Sequence, residues 1–127
     1  RRPPTNRPRC WVAAGEVRLR PEGKGKGGRA QDLALAASIR LAGERDALFF
    51  AAGSDGVDGN SPAAGATSDG CTTERARRLG LDPAKIRKAS NSYELFRRLG
   101  DCVDTGPTGN NLRDLYLLFE GPKRPSA

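Results

Sequence analysis

The chain lacks histidine and methionine altogether, and only three of its 127 residues are cysteine. Without histidine, it cannot supply the commonest general base or a Ser/His or Cys/His nucleophile system of its own. Cys10, Cys71 and Cys102 are widely spaced, which predicts neither a disulfide framework nor a zinc site and favours a reduced, cytoplasmic protein. Phosphoryl transfer survives these exclusions, because it depends mainly on positioning and on cations.

Long apolar runs are missing as well. The longest candidates, such as residues 47–52, are far too short to cross a bilayer, and no apolar segment follows the basic N-terminus as it would in a secretory signal. We therefore expect no membrane partner. Because no methionine precedes the Arg/Pro stretch at the start, we also expect a fragment or a processed product.

Acidic residues are absent from both ends of the chain, and these ends carry most of the net charge of +7. Residues 1–9 contain four arginines, and residues 121–127 contain Lys123 and Arg124. The part between them is nearly neutral. Nucleic-acid binding by a folded domain requires basic side chains on a structured face, so this distribution argues against it.

Strand and helix patterns alternate along a length that fits one domain. We expect a basic irregular arm at 1–9, an α/β domain at 10–120 and a basic tail at 121–127. Ser61 and Pro62 have the form of a helix start before the small residues 63–66. The pattern predicts a single layered domain with a mixed sheet, flanked by helices and with glycine-rich loops at the strand ends. Ligands in such sheets bind beyond the carboxyl ends of the strands, where all three loops would lie.

The first loop, residues 23–31, reads GKGKGGRAQ and opens an alanine- and leucine-rich helix. A helix N-terminus attracts anions, and Lys24, Lys26 and Arg29 would add charged donors beside Gly27 and Gly28. The loop also satisfies a GxGxxG template, but the ribose-binding acid is missing unless Asp55 serves. A flexible surface hairpin with solvated lysines is the alternative.

The second and third loops offer further ligands. Asp55 and Asp58 in the second loop (53–60) could present two carboxylates to magnesium, a hard cation that prefers oxygen, or could simply form turns. Thr105, Thr108 and Asn111 in the third loop (105–111) could donate to an anion, although Pro107 and Gly109 also suit an ordinary turn.

Six motifs in order resemble one known family. They are Gly15-Glu16, GKGKGGRAQD (23–32), GSDGVDG (53–59), AAGA (63–66), NSY (91–93) and TGPTGNNLRDL (105–115). Together they resemble the MOFRL domain, the C-terminal domain of class II glycerate 2-kinases, a family also labelled putative hydroxypyruvate reductase. The resemblance covers residues 10–120.

The resemblance implies a kinase that uses ATP and Mg²⁺ to make 2-phosphoglycerate from D-glycerate, with its active site between two α/β domains. This chain would be the smaller C-terminal domain, its N-terminal kinase domain would be a missing partner, and a homo-oligomer is allowed. Arg29 would be the catalytic contact to phosphate. Around it, the cofactor-binding residues would be Lys24, Lys26, Gly27, Gly28, Thr105, Thr108 and Asn111, and the metal ligands would be Asp55 and Asp58.

The sequence departs from the family pattern at several polar loop positions. The residues that differ from the usual family residue are Ala14, Val17, Ala30, Asp32, Pro62, Asn91 and Asn110. Substrate contacts are therefore open to change even though the glycine framework is intact. Two alternatives follow: a component of an NAD(P)H-dependent hydroxypyruvate reductase, or a non-enzymatic binding or scaffold module. We expect the isolated chain to be inactive.

Overall fold

The computed structural model describes residues 6–122. Its elements are β1 (Arg9–Gly15), α1 (Arg29–Leu41), β2 (Ala47–Gly53), β3 (Gly65–Asp69), α2 (Thr72–Arg78), α3 (Pro83–Lys88), α4 (Ser92–Leu99), β4 (Cys102–Val103) and β5 (Asp114–Glu120). Most of the predicted basic arm and tail lies outside the described residues, and Arg9 belongs to β1. Within 6–122, no helix combines the length and apolarity needed to cross a membrane.

The helix boundaries follow local sequence signals. Asp82 precedes α3 and accepts hydrogen bonds from the amides of Ala84 and Lys85, while Pro83 occupies the first turn. Gly100 ends α4 in the left-handed conformation, with φ of 76°, a conformation that glycine adopts without steric penalty. Both boundaries therefore use residue types that are typical of helix ends.

The five strands form one sheet in the order β1-β5-β2-β3-β4. The α/β class is confirmed, but every strand pairing is antiparallel, so the expectation of a mixed sheet was wrong. Strands β1 and β2, joined through α1, do run parallel to each other. They are not neighbours, because β5 inserts between them and runs antiparallel to both.

Strand β3 lies where the sequence suggested a helix start. Instead of capping a helix, the Ser61 hydroxyl donates to the carbonyl oxygen of Asp58 within a tight turn. Gly65 then pairs with Ala52, so closely that a Cβ on Gly65 would lie 1.8 Å from the carbonyl oxygen of Ala51. The small residues after Pro62 therefore permit close strand packing, which helix propensity did not reveal.

The four helices form one layer on one face of the sheet, in which α1 and α4 contact the strands and α2 and α3 pack against α1 and α4. Their shared cluster contains Ala34, Leu35, Ala66, Ala76, Leu95 and Phe96, with Phe49 and Ile86 packed against it. The Ser68 hydroxyl of β3 donates to the carbonyl of Ala34 in α1 at 2.7 Å, which fixes this face of the strand toward the helix. The alanines allow α1 to approach the sheet closely.

The register brings the three glycine-rich loops to one edge of the sheet. Gly15 at the end of β1 and Gly53 at the end of β2 both pair with Asp114, the first residue of β5. At the neighbouring strands, Gly65 at the start of β3 pairs with Val103 at the end of β4. The first, second and third loops adjoin these strand ends, as the sequence predicted.

Candidate functional site

A cleft of about 950 Å³ opens at this edge of the sheet. It contains six of the predicted site residues: Lys24, Gly27, Gly28, Arg29, Asp55 and Asp58. It also contains Glu16 and Asp114, for which the sequence predicted no role. The predicted residues absent from the cleft lining are Lys26, Thr105, Thr108 and Asn111.

Arg29, the first residue of α1, is held in the cleft by a buried carboxylate. Its Nε donates to Asp114 Oδ2 at 2.6 Å, and its Nη2 donates to Asp114 Oδ1 at 3.2 Å. Tyr116 OH also donates to Asp114 Oδ2, at 3.2 Å. The side chain of Asp114 is only 4% exposed, whereas that of Arg29 remains 36% exposed. This two-point contact fixes the plane of the guanidinium while leaving part of it accessible from the cleft.

The remaining edge of the guanidinium carries an exposed acid. Arg29 Nη1 lies 2.6 Å from Glu16 Oε1, and the Glu16 side chain is 57% exposed. Hydrogen bonding to Asp114 raises the pKa of Arg29 above its already high ordinary value, so the group is a permanent cation. Glu16 follows β1 and is anchored less firmly than Asp114. An anion arriving in the cleft would therefore compete with Glu16 rather than with Asp114.

Asp58 occupies the N-terminus of α1. Its Oδ1 accepts from the amide of Ala30 at 3.0 Å, and its Oδ2 accepts from the amide of Gln31 at 2.8 Å and from Gln31 Nε2 at 3.0 Å. Burial raises the pKa of Asp58, although these hydrogen bonds oppose the shift. The anion predicted at this helix N-terminus is thus a carboxylate of the protein itself.

Backbone amides of the first loop also have acceptors within the protein. The amides of Gly25, Lys26 and Gly27 donate to Ala89 O, Asn91 Oδ1 and Asn60 Oδ1 at 3.1, 3.0 and 2.9 Å. The loop is consequently packed against its neighbours rather than being a flexible hairpin. Because Asp58 and these acceptors hold the amides that a pyrophosphate would need, the GxGxxG match is not a dinucleotide-binding turn.

Gly28 is required by this packing. A Cβ at Gly28 would lie 2.3 Å from Asp58 Oδ1 and 2.5 Å from its backbone carbonyl carbon. The glycine therefore lets the second loop reach the start of α1, which is a sufficient reason for its presence. Direct contacts of Gly27 and Gly28 with a cofactor stay a prediction.

The third loop supports the second loop from outside the cleft. The amide of Thr108 donates to the carbonyl of Asp55 at 3.1 Å, and its hydroxyl donates to the carbonyl of Ser54. The Thr105 hydroxyl bonds locally to the carbonyl of Gly106, while Asn111 is exposed. The structure therefore does not bring the predicted anion donors of this loop next to Arg29.

The predicted metal ligands are close in sequence but differ in their contacts. Asp55 is exposed, and its Oδ1 accepts from the amide of Val57 at 3.1 Å. Both oxygens of Asp58 are engaged with α1. Within residues 6–122, no group of three or more His, Cys, Asp or Glu side chains is arranged to hold a metal ion. Asp55 and Asp58 thus do not fit a complete magnesium site by themselves.

Comparison with known proteins places this cleft in a family context. The MOFRL family model matches residues 9–114. The chain is 39% identical over 114 residues to the D-glycerate 2-kinase of Thermotoga maritima, covering 90% of this chain and 27% of the relative. It is also 34% identical over 120 residues to the putative hydroxypyruvate reductase of Agrobacterium vitis, covering 93% of this chain and 27% of the relative.

Two solved structures are similar in fold and sequence. The crystal structure of Thermotoga maritima glycerate kinase superimposes with a TM-score of 0.85 at 38% identity, covering 87% of this chain and 27% of that chain. A Pyrococcus horikoshii protein superimposes with a TM-score of 0.84, also at 38% identity, covering 90% and 26%. The chain thus spans about a quarter of these relatives. The family model and the relatives together show that the chain belongs to the MOFRL family.

Proposed function

We propose that this chain is the C-terminal domain of a glycerate 2-kinase and forms one wall of an interdomain active site that phosphorylates D-glycerate with ATP. The observation that carries the proposal is Arg29, which buried Asp114 fixes in orientation while its guanidinium stays accessible from the cleft. A fixed cation at the point where phosphate charge develops is a recurring means of accelerating phosphoryl transfer. Kinase relatives at 39% identity support the same reaction.

Within this proposal, Arg29 binds an anionic oxygen of the substrate or of the transferring group after Glu16 has moved aside. Lys24 also lines the cleft, as do Arg18 and Arg20. Asp114 acts as a positioning residue, because both of its oxygens set the guanidinium plane. Lys26, Thr105, Thr108 and Asn111 lie outside the cleft lining, so their predicted contacts would require the missing part of the site.

ATP, when bound, supplies the phosphoryl group, and the accessible side chains of Arg29 and Lys24 suit its phosphates better than the occupied loop amides do. No step of the proposal depends on magnesium, because residues 6–122 contain no cluster of three metal-ligating side chains. The cytoplasmic location and the homo-oligomer stay predictions.

The test uses a chimera in which this chain replaces the matching segment of the Thermotoga maritima kinase. We expect the chimera to release ADP from ATP only when D-glycerate is present, as measured with a coupled assay, and Arg29→Ala to reduce turnover about 100-fold. The isolated chain is the control and should be inactive. A chimera that folds but gives no glycerate-dependent ADP would contradict the proposal.

The same chimera separates the alternatives. Oxidation of NADPH by hydroxypyruvate, without glycerate-dependent ADP release, would favour the reductase that the Agrobacterium vitis relative is named for. A folded chimera inactive in both assays would leave a binding or scaffold module as the better description.

A further inference from the structure

The sheet face opposite the helices is apolar along β1, β5 and β2, and the described residues leave most of it uncovered. Alternation along the paired strands places nine residues there: Cys10, Val12 and Ala14 of β1, Leu115, Leu117 and Phe119 of β5, and Leu48, Phe50 and Ala52 of β2. None of the nine is charged. Val12, Leu48, Leu115 and Phe119 are among the exposed large hydrophobic residues of the molecule. We call these nine residues the open face.

An antiparallel sheet with one wet face normally shows polar residues on that face. Here Phe49 and Leu118 face the helices, while their chain neighbours Phe50 and Leu117 face the other way. Strands β2 and β5 are therefore apolar on both sides, which is the pattern of strands enclosed between two layers. A contiguous exposed patch of this kind marks an interaction surface.

We propose that the open face is the docking surface for the remainder of the longer polypeptide of which family members are made. The matched relatives are about four times as long as the segment they share with this chain, because the chain covers 27% of the Thermotoga maritima structure. In that structure the remainder and the shared segment belong to the same polypeptide. An intrachain contact loses less translational and rotational freedom than the pairing of two separate molecules.

The position of the open face supports this occupant. Leu115 lies at the end of the open face nearest the cleft. It directly follows the cleft residue Asp114 and pairs with Ala52. Beyond it, Leu112 is 78% exposed. The open face therefore ends next to Asp114, which lines the cleft, so one docked layer would cover the sheet and border the site. This proposal does not depend on which reaction the site performs.

The test compares the accessibility of one thiol on each side of the sheet. Leu48 on the open face and Leu79 at the end of α2 have nearly equal exposures of 40% and 42%. We would make Leu48→Cys and Leu79→Cys separately in a Cys10→Ser/Cys71→Ser background, in both the 127-residue chain and the chimera. Maleimide labelling is followed by peptide mass spectrometry, which separates the half-buried Cys102.

We expect labelling at Leu48→Cys to slow about tenfold or more in the chimera, because reaction requires access to the thiolate, while labelling at Leu79→Cys changes less than about twofold. Equal rates at Leu48→Cys in the chain and the chimera would overturn the proposal. Protection of Leu48→Cys in the isolated chain, together with a dimer in sedimentation, would assign the open face to a second copy and overturn it as well.

A second host protects the test against misfolding. If the Thermotoga maritima chimera does not melt cooperatively, the same chain replaces the matching segment of the Pyrococcus horikoshii relative. If neither chimera folds although the isolated chain melts cooperatively, the result would count against docking, because the open face would then fit neither relative's remaining polypeptide. Absence of kinase activity in a chimera that protects Leu48→Cys would contradict the proposed function alone.

Discussion

Two arginine–aspartate pairs, nearly equal in length, hold two different regions of the molecule. In the cleft, Arg29 contacts Asp114 at 2.6 Å, and in the corner between α2 and the end of α4, Arg75 contacts Asp101 at 2.7 Å. The two arginine side chains are similarly exposed. They differ in their second partner: Arg75 Nη2 donates to the backbone carbonyl of Leu99 at 2.9 Å, whereas Arg29 Nη1 meets an exposed glutamate.

The difference in second partners separates a structural pair from a pair suited to binding. A backbone carbonyl cannot leave without disturbing the chain, so the corner pair fastens α2 to α4. Glu16 can rotate into solvent, so the cleft pair can exchange it for a ligand anion. Bond length and the exposure of the arginines alone would not distinguish the two pairs. The chemical nature of the second partner of each guanidinium distinguishes them.

Replacing Arg29 in the cleft should produce the largest change in turnover. Arg29→Lys in the chimera should lower kcat by about 100-fold, because lysine cannot reproduce the two-point contact with Asp114 and still present a donor to the cleft. Arg75→Lys is the matched control and should leave kcat within about twofold. Steady-state ADP release measures both. Equal losses in the two variants would mean that Arg29 acts only on folding.

Asp58→Ala tests what shapes the cleft, and we expect it to lower the free energy of unfolding of the chain by about 2 kcal/mol. The substitution leaves the amides of Ala30 and Gln31 without their acceptor at the start of α1. Urea denaturation measures the change. The control is Asp55→Ala, which loses one exposed contact to Val57 and should change the free energy by about 0.5 kcal/mol or less. Equal stability of both variants would contradict the capping role.

Sequence reasoning located the cleft but not its internal contacts. The helix between two apolar strands predicted that the ends of β1 and β2 share one sheet edge, and this is correct because the two strands run parallel. The insertion of β5 between them leaves no local signal, so the antiparallel pairing was missed. The pair Arg29–Asp114 joins positions 85 apart and follows from that insertion. Asp114 lay within a recognised motif, yet only its partner revealed its role.

The same limit explains the reading of the first loop. Glycines and lysines before a helix correctly indicated an anion at its N-terminus, but they could not tell whether that anion was external. Asp58, 28 positions after Ala30, fills the place. Local composition indicates that the N-terminus of α1 attracts a negative charge. Which group supplies that charge depends on how the second loop folds back onto the helix.

Replacing Arg75 in the corner should produce a smaller change, in stability rather than in turnover. Arg75→Ala should reduce the free energy of unfolding by about 1 kcal/mol, because it removes a partly exposed ion pair and the hydrogen bond to Leu99. Turnover of the chimera should stay within about twofold. Urea denaturation and the ADP assay measure the two quantities. A large loss of turnover with unchanged stability would reverse the roles assigned to the two pairs.

The smallest expected effect concerns the reactivity of Cys102, which follows Asp101 in the corner. Burial, followed by the negative charges of Asp104 and Asp101, raises the pKa of its thiol to about 11, from an ordinary value of 9.0. Since the thiolate is the nucleophile, alkylation of Cys102 should be slow at pH 8 and should rise through pH values near 11. Mass spectrometry of the alkylated peptide gives the rate.

If the Arg75–Asp101 pair closes the corner, Arg75→Ala should speed alkylation of Cys102 at pH 8 modestly, by opening access to the thiol. Arg29→Ala should leave the rate unchanged. The same acceleration in both variants would show that the two regions are not independent.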